Sequence, residues 1–516
     1  MGFNHTSRKK NIARSSIINA VCRIIYLAVG FLHRWFFLRI LSVEYLGING
    51  LITNIIGVMS FADLGISSAI IYRIYQPLSR DDTERVGQLM RFFKKANRMI
   101  AFTIFAIGCL IALFLPSLIK DSTEIPKDIN IYLVFFLFLL QSVSSYLFTY
   151  KLTMFDVDQK QYLNTLINTG TMAVRSLVQI IILVILRNYI LSLLAGTVVT
   201  VISNMLSDAW VTKKFPQVFT VRTDITSGEK KGIYRDTFAA ICHKIGGVII
   251  TSTDSILLSK YIGLIITGIY SNYAMILSSI TEMVAVLFGP FTAALGNAHA
   301  TEENDGRYRI YKRSMFVNFW IVGLITTCLF LLVNDFIILW LGEGMILDFK
   351  TVVFLCVQFY IVGTRKVSEA YMYACGLFVR DKARPAVEAA LNIIFSIILL
   401  RMFGVAGVFA GTVISCLLTT YWREPYLLYK YVFYRSSLDF WIINIRNALV
   451  IVLTVLIVKT ASANMFSGNM SMLQWIMKGL LSVFTFEVIH SIVFIRNEDF
   501  HFALSCIGDL RKRIKP

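Results

Sequence analysis

The chain has 516 residues, 56% hydrophobic and 16% charged, with a mean hydropathy of +0.67 and a net charge of +19. A soluble protein of this length carries about 25% charged residues, so a large water-soluble domain is excluded. A transmembrane β-barrel would show short alternating segments, and none occurs.

The expected fold is all-α and polytopic, because Leu, Ile, Val and Phe recur in runs long enough to cross ~30 Å of hydrocarbon. After a basic N-terminal tail, 1–14, about fourteen spans are expected. In chain order they cover 15–38, 47–76, 99–119, 129–150, 162–186, 190–210, 237–259, 265–298, 314–340, 351–376, 385–403, 405–427, 440–460 and 472–495. The second and eighth are long enough to tilt or kink, and Pro290 lies inside the eighth. Placing the N-tail inside puts most of the 50 Lys and Arg on one side. The positive-inside rule makes that side cytoplasmic, and both termini with it. The densest inward clusters are Arg80–Arg98 and Lys213–Arg235. The charge excess therefore reads as loop charge facing anionic lipid, with no nucleic-acid partner. The eight cysteines are scattered without a CxxC pair and read as small core hydrophobes.

The stretch 211–236 holds Pro, Gly, Ser and Thr and no long apolar run. It is expected to link an N-lobe of six helices, 15–210, to a C-lobe of helices seven to twelve, 237–427. Two further helices would follow within 428–495, then a cytoplasmic C-tail, 496–516. An internal repeat supports two lobes. Tyr45-Leu46-Gly47 and Gly50-Leu51-Ile52-Thr53-Asn54 resemble Tyr261-Ile262-Gly263 and Gly268-Ile269-Tyr270-Ser271-Asn272. Upstream, Ala20-Val21-Cys22-Arg23 resembles Ala240-Ile241-Cys242-His243-Lys244. Six spans before the linker make both halves start from the same side, a parallel repeat.

An ionisable side chain at bilayer depth costs roughly 2.5–3.5 kcal/mol, so each one points to function. Arg23 and Lys244 fall at matching depth in the first helix of each half. They would form an anion-binding cavity, or reach back to the interface as long side chains do. Asp63, near the middle of span two, would pair with Arg23 or titrate as a coupling site. Asp254 lies nearer the outer end and is read either as a helix–helix partner or as an ion-coupling carboxylate. Arg365 and Glu369 are spaced i,i+4 and are expected to pair, leaving Lys366 to face a cavity. Arg175 and Glu282 are lone mid-span charges. Lys478 and Glu487 are expected at a polar groove or the interface. Gly407-Val408-Phe409-Ala410-Gly411 matches GxxxG, a signal of close helix packing. Asp156-Val157-Asp158 is a DxD, but it stands in a short loop with no nucleotide-binding domain around it. No Walker A, GxSxG, HExxH or Cys/His cluster occurs, so neither an enzyme nor a cofactor or metal is expected.

At EYLGINGLITNIIGVMSFADLGISSAIIYRIYQPL the sequence resembles bacterial polysaccharide flippases of the Wzx type, within the multidrug/oligosaccharidyl-lipid/polysaccharide exporter superfamily. KIGGVIITSTDSILLSKYIG, GIYSNYAMI and Asp158-Gln159-Lys160 resemble the same family. Family members commonly have Glu in the place of Asp63 and Asn in the place of Ser255. The resemblance implies two six-helix lobes around a central cavity, plus two extra helices, in the bacterial cytoplasmic membrane. It implies flipping of an undecaprenyl-pyrophosphate-linked oligosaccharide for capsule, exopolysaccharide or O-antigen, beside a polymerase and glycosyltransferases. On that reading Arg23, Lys244, His243, Lys366 and Arg175 would meet pyrophosphate, and Asp63, Asp254 or Glu282 would couple an ion. A multidrug antiporter or a lipid II flippase of the same superfamily is the alternative; a membrane-embedded polymerase or glycosyltransferase is a third reading.

Overall fold

The computed structural model describes residues 8–60, 66–381, 383–465 and 470–514; within helices it leaves out chiefly the side chains of 8–14, 238–246, 286–294 and 507–514. Asp63 therefore lies outside the described residues, as do the side chains of His243 and Lys244.

Among the described residues there is no strand. The helices are α1 (Arg8–Ile40), α2 (Val43–Met59), α3 (Ile66–Ser79), α4 (Thr83–Phe114), α5 (Ile131–Phe148), α6 (Thr153–Val157), α7 (Gln161–Leu186), α8 (Tyr189–Lys214), α9 (Pro216–Phe219) and α10 (Ser227–Tyr261). There follow α11 (Leu264–Thr301), α12 (Asn304–Leu341), α13 (Phe349–Thr364), α14 (Lys366–Ala374), α15 (Arg384–Phe403), α16 (Val405–Leu418), α17 (Thr420–Leu428), α18 (Leu438–Met465), α19 (Met472–Phe494) and α20 (Glu498–Ile514). Twelve helical runs among the described residues are long and apolar enough to cross a membrane. The two expected spans outside that set, 47–76 and 237–259, fall on α2 with α3 and on α10.

Helix ends follow local chemistry. Asp82 accepts from the Arg85 N–H at 2.9 Å and starts α4; Asn130 and Asn188 do the same for α5 and α8. Thr226 and Glu229 form a capping box at the start of α10, as Ser471 and Gln474 do for α19. These caps lie outside the apolar runs, so several helices start well before their expected spans. Arg80–Arg98, expected as an inward loop, is mostly the first half of α4. That half buries Val86, Leu89, Met90, Phe93 and Ala96 at helical spacing, which holds it folded beyond the hydrocarbon. Pro290 does not end α11, which runs from Leu264 to Thr301.

The helices turn apolar faces outward and polar ones inward. On α19, Ser482, Phe486, His490 and Phe494 are buried, while Leu480, Phe484 and Ile492 are exposed. On α7 the buried line is Tyr162, Thr169, Ser176 and Leu183, and Leu177, Ile181 and Ile185 are exposed. Surrounding lipid makes this inversion favourable, since tails solvate Leu as well as a protein core does.

Packing divides the chain into two compact units, Met1–Ser271 and Asn272–Pro516, with the boundary inside α11. In the first, α1 packs on α7, α7 on α8, α4 on α5, and α10 on α2 and α3. In the second, α12 packs on α13, α18 and α19, α13 on α16, and α15 on α16. The GxxxG line forms the α15–α16 seam. A Cβ on Gly407 would lie 2.0 Å from the Leu399 carbonyl oxygen, and one on Gly411 would lie 2.4 Å from the Ser396 nitrogen. The seam is tied by Asn392 donating to Thr412 at 2.8 Å and Ser396 donating to the Val408 carbonyl at 3.0 Å.

The repeated words occupy equivalent places: one at the α1–α2 corner, the other at the α10–α11 corner. Within the first unit they touch. A Cβ on Gly47 would lie 2.1 Å from the Leu264 carbonyl oxygen, and one on Gly268 would lie 2.4 Å from that of Val43. Gly47→Ala and Gly407→Ala are expected to lower stability by about 1–3 kcal/mol each, since the opposing atoms are backbone. Gly170→Ala, on a part of α7 where nothing lies within 4 Å, should instead raise stability by up to about 1 kcal/mol, since Ala is the better helix former. Thermal unfolding of the purified variants in detergent checks all three.

Candidate substrate site

The first unit holds a polar, half-open cavity of about 400 Å³. α7 supplies most of its polarity through one stripe. Asn164, Asn168, Thr171 and Arg175 are spaced 4, 3 and 4 residues apart, which places them on one helical face. α8 adds Thr200 and Asn204, α5 adds Ser145, and Tyr26 of α1 completes the wall.

The stripe is pre-ordered. Asn168 donates to the Asn164 side-chain oxygen at 2.9 Å, and Asn164 donates to Asp156 at 3.3 Å. Asn204 donates to Ser144 at 3.1 Å, and Thr171 shares a hydrogen bond with Ser203. Arg175 is the cavity's cation. Its Nε is buried and has no hydrogen-bond partner among the described residues. A buried guanidinium N–H left unmatched costs about 1–3 kcal/mol or more, so an incoming acceptor would gain from meeting it.

Arg23 is half-buried on α1, its guanidinium 5.3 Å from the centre of the Tyr26 ring. Tyr26 thus links Arg23 to the cavity that Arg175 lines. Lys244 and His243 lie on α10, and their side chains are outside the described set. Asp254, also on α10, is 1% exposed. Glu282 on α11 is exposed. The α7 stripe was missed in the sequence because Asn and Thr carry no charge to flag them. Their spacing around Arg175 was the available signal.

The second unit uses its charges differently. Arg365 pairs with Glu424 of α17 at 2.7 Å, not with Glu369. Arg365 caps the break between α13 and α14, so its side chain leaves the helical register that i,i+4 pairing needs. Lys366 takes Glu369 instead, at 3.0 Å. Arg384 reaches Glu388 at 2.9 Å, Glu424 at 3.3 Å and also Asp381, while Arg423 takes Asp381 at 2.7 Å. Arg365, Arg384 and Arg423 meet Asp381, Glu388 and Glu424, an arrangement that ties α15 and the start of α14 to α17, while Lys366 and Glu369 pair within α14. Near the C-terminus, Lys478 pairs with Asp335 at 2.7 Å, and Glu487 accepts from the Trp320 indole N–H at 3.2 Å. Asp158 of the DxD pairs with Lys160 at 2.6 Å, leaving Asp156 to Asn164.

The fold is similar to that of the lipid II flippase MurJ in an inward closed conformation: TM-score 0.67 at 14% identity, covering 93% of this chain and 99% of that one. It is similar to a mutant of the Vibrio cholerae MATE transporter VcmN, with TM-score 0.51 at 14% identity over 84% of this chain and 99% of that one. An inward-facing multidrug resistance MATE family transporter of the MOP superfamily gives TM-score 0.53 at 12% identity over 78% and 95%. These likenesses show the fold, and with twelve helical runs among the described residues long and apolar enough to cross a membrane the chain is a multi-pass membrane protein. The profile of the family described as "Polysaccharide biosynthesis protein" matches residues 12–295, and the chain belongs to that family. No curated protein matches the sequence.

Glu424→Ala is expected to destabilise the second unit by about 3–5 kcal/mol, because it strands the Arg365 guanidinium, while Arg384 keeps Asp381 and Glu388. Glu424 is 2% exposed, so water cannot replace the lost carboxylate without opening the core. Thermal unfolding reads the loss, and transport would fall only with protein level.

Proposed function

We propose that the protein flips an undecaprenyl-pyrophosphate-linked oligosaccharide across the bacterial cytoplasmic membrane, with both termini cytoplasmic, for polysaccharide assembly. The observation that carries this reading is the cavity of the first unit. Three Asn amides and a set of Ser and Thr hydroxyls give alternating donors and acceptors suited to sugar hydroxyls. Arg175 offers an unused N–H toward a phosphoryl oxygen, and Arg23 stands behind Tyr26. Membership in the polysaccharide biosynthesis family supports the same substrate class.

On this reading Arg23, Lys244 and His243 load the pyrophosphate at the cytoplasmic mouth, and Arg175 holds it as the sugars enter the polar stripe. The polyprenyl tail stays in lipid along the apolar exterior, and rocking of the lobes gives alternating access. Lys366, paired with Glu369, would meet the pyrophosphate only by sharing its charge with that carboxylate. Energy enters as an ion at Asp63, Asp254 or Glu282. A polymerase and glycosyltransferases of the same pathway would flank the step.

In cells lacking their own copy, Arg23→Ala or Lys244→Ala at unchanged membrane level should stop polymer export and leave lipid-linked repeat units on the inner leaflet. Arg175→Ala should cut export by about tenfold or more, the loss of one charge-assisted hydrogen bond. Normal polymer from the Arg23/Lys244 double variant would defeat the loading role. Restoration of a lipid II flippase-deficient strain, with no effect on polymer, would favour the lipid II alternative. Transport into proteoliposomes with and without a proton or sodium gradient tests coupling; indifference to both removes the three carboxylates from the scheme.

A further inference from the structure

A second cavity in the first unit, about 370 Å³, has a different chemistry. Its lining includes Arg91, Lys94, Lys95 and Arg98 of α4, and Lys151 from the turn after α5. Five cations face two carboxylates. Asp208 takes Lys151 at 2.7 Å, and Asp224 takes Arg91 at 2.8 Å and Lys95 at 2.6 Å. Lys94 and Arg98, one turn apart on α4, form no hydrogen bond or ion pair with the described residues.

Lys94 and Arg98 are exposed at the cavity's open side, and its inner wall is built. Lys151 is 7% exposed, and its ammonium is fixed by Asp208, by the Thr212 hydroxyl at 2.6 Å and over the Phe219 ring at 5.0 Å. The level in the bilayer is also marked. Immediately past Arg98, α4 exposes Met99, Phe102 and Phe105, the start of its lipid-facing surface. Lys94 and Arg98 therefore stand where the helix leaves hydrocarbon, the level of lipid phosphates. A cluster with three uncompensated positive charges draws an anion, and a guanidinium beside an ammonium matches the oxygens of a phosphoryl group.

We propose that this cavity binds a phosphoryl anion through Lys94 and Arg98, with Lys151 supporting the field from within. The ligand is either the headgroup of an anionic membrane lipid or a soluble phosphate. The proposal is independent of the transported substrate, since none of these residues lines the polar cavity.

The test uses full-length protein in detergent, with lipid retention read by native mass spectrometry. Phosphatidylglycerol should be retained in preference to phosphatidylcholine. Lys94→Gln with Arg98→Gln should weaken that retention by about tenfold or more, at roughly fivefold per cation. Lys94→Arg with Arg98→Lys should preserve it. Retention that survives excess inorganic phosphate assigns the site to lipid. Displacement of lipid by inorganic phosphate, or phosphate binding without lipid preference, assigns it to a soluble anion. Equal behaviour of wild type and the Gln double variant toward both probes, with unchanged thermal unfolding, overturns the proposal.

Discussion

A backbone N–H or C=O left unpaired in hydrocarbon costs several kcal/mol, and no water is present there to relieve it. The fold of this chain follows from that cost. Most described spans close their backbone hydrogen bonds within one helix, and the breaks at Arg365 and Thr419 lie inside the second unit's packing. Where two helices must come closest, glycine removes the side chain that would hold them apart. Gly47 against Leu264 and Gly407 against Leu399 are such approaches, each setting backbone against backbone.

The same cost governs the side chains. With lipid outside, polar groups gain by turning inward, but there they need partners. The two units meet this demand in different ways. The second neutralises its buried charges within itself, through Arg365 and Arg384 set against Asp381, Glu388 and Glu424, with the more exposed Arg423 beside Asp381. The first leaves part of its polarity open, in the Asn–Thr–Arg stripe of α7 and the basic end of α4. A satisfied network gives rigidity, whereas an unsatisfied wall gives a place for a ligand.

The two cavities are chemically distinct but share a helix. Thr200 and Asn204 line the polar one, while Asp208 and Thr212, the next two positions at i+4 spacing, fix Lys151 beside the basic one. A single face of α8 thus passes from neutral hydrogen-bonding groups to a charged cluster. The change coincides with the level at which α4 gives up its lipid-facing residues, so the local surroundings account for it.

The all-α, many-span fold was legible in the sequence because lipid imposes length and hydropathy on each helix separately. The exporter family was legible in local words around residues 44–78, and GxxxG marked a close seam that needs no distant context. Helix ends were less legible, because caps such as Asp82 and Thr226 lie in polar stretches that resemble loops. The partners of buried charges could not be read at all. Arg365 has Glu369 at the right spacing, yet it turns to Glu424, fifty-nine positions away, because the helix breaks beneath it. Sequence spacing describes one helix at a time. Which stripe of α7 faces a cavity, and which cations find carboxylates, depends on the neighbours that packing brings beside it.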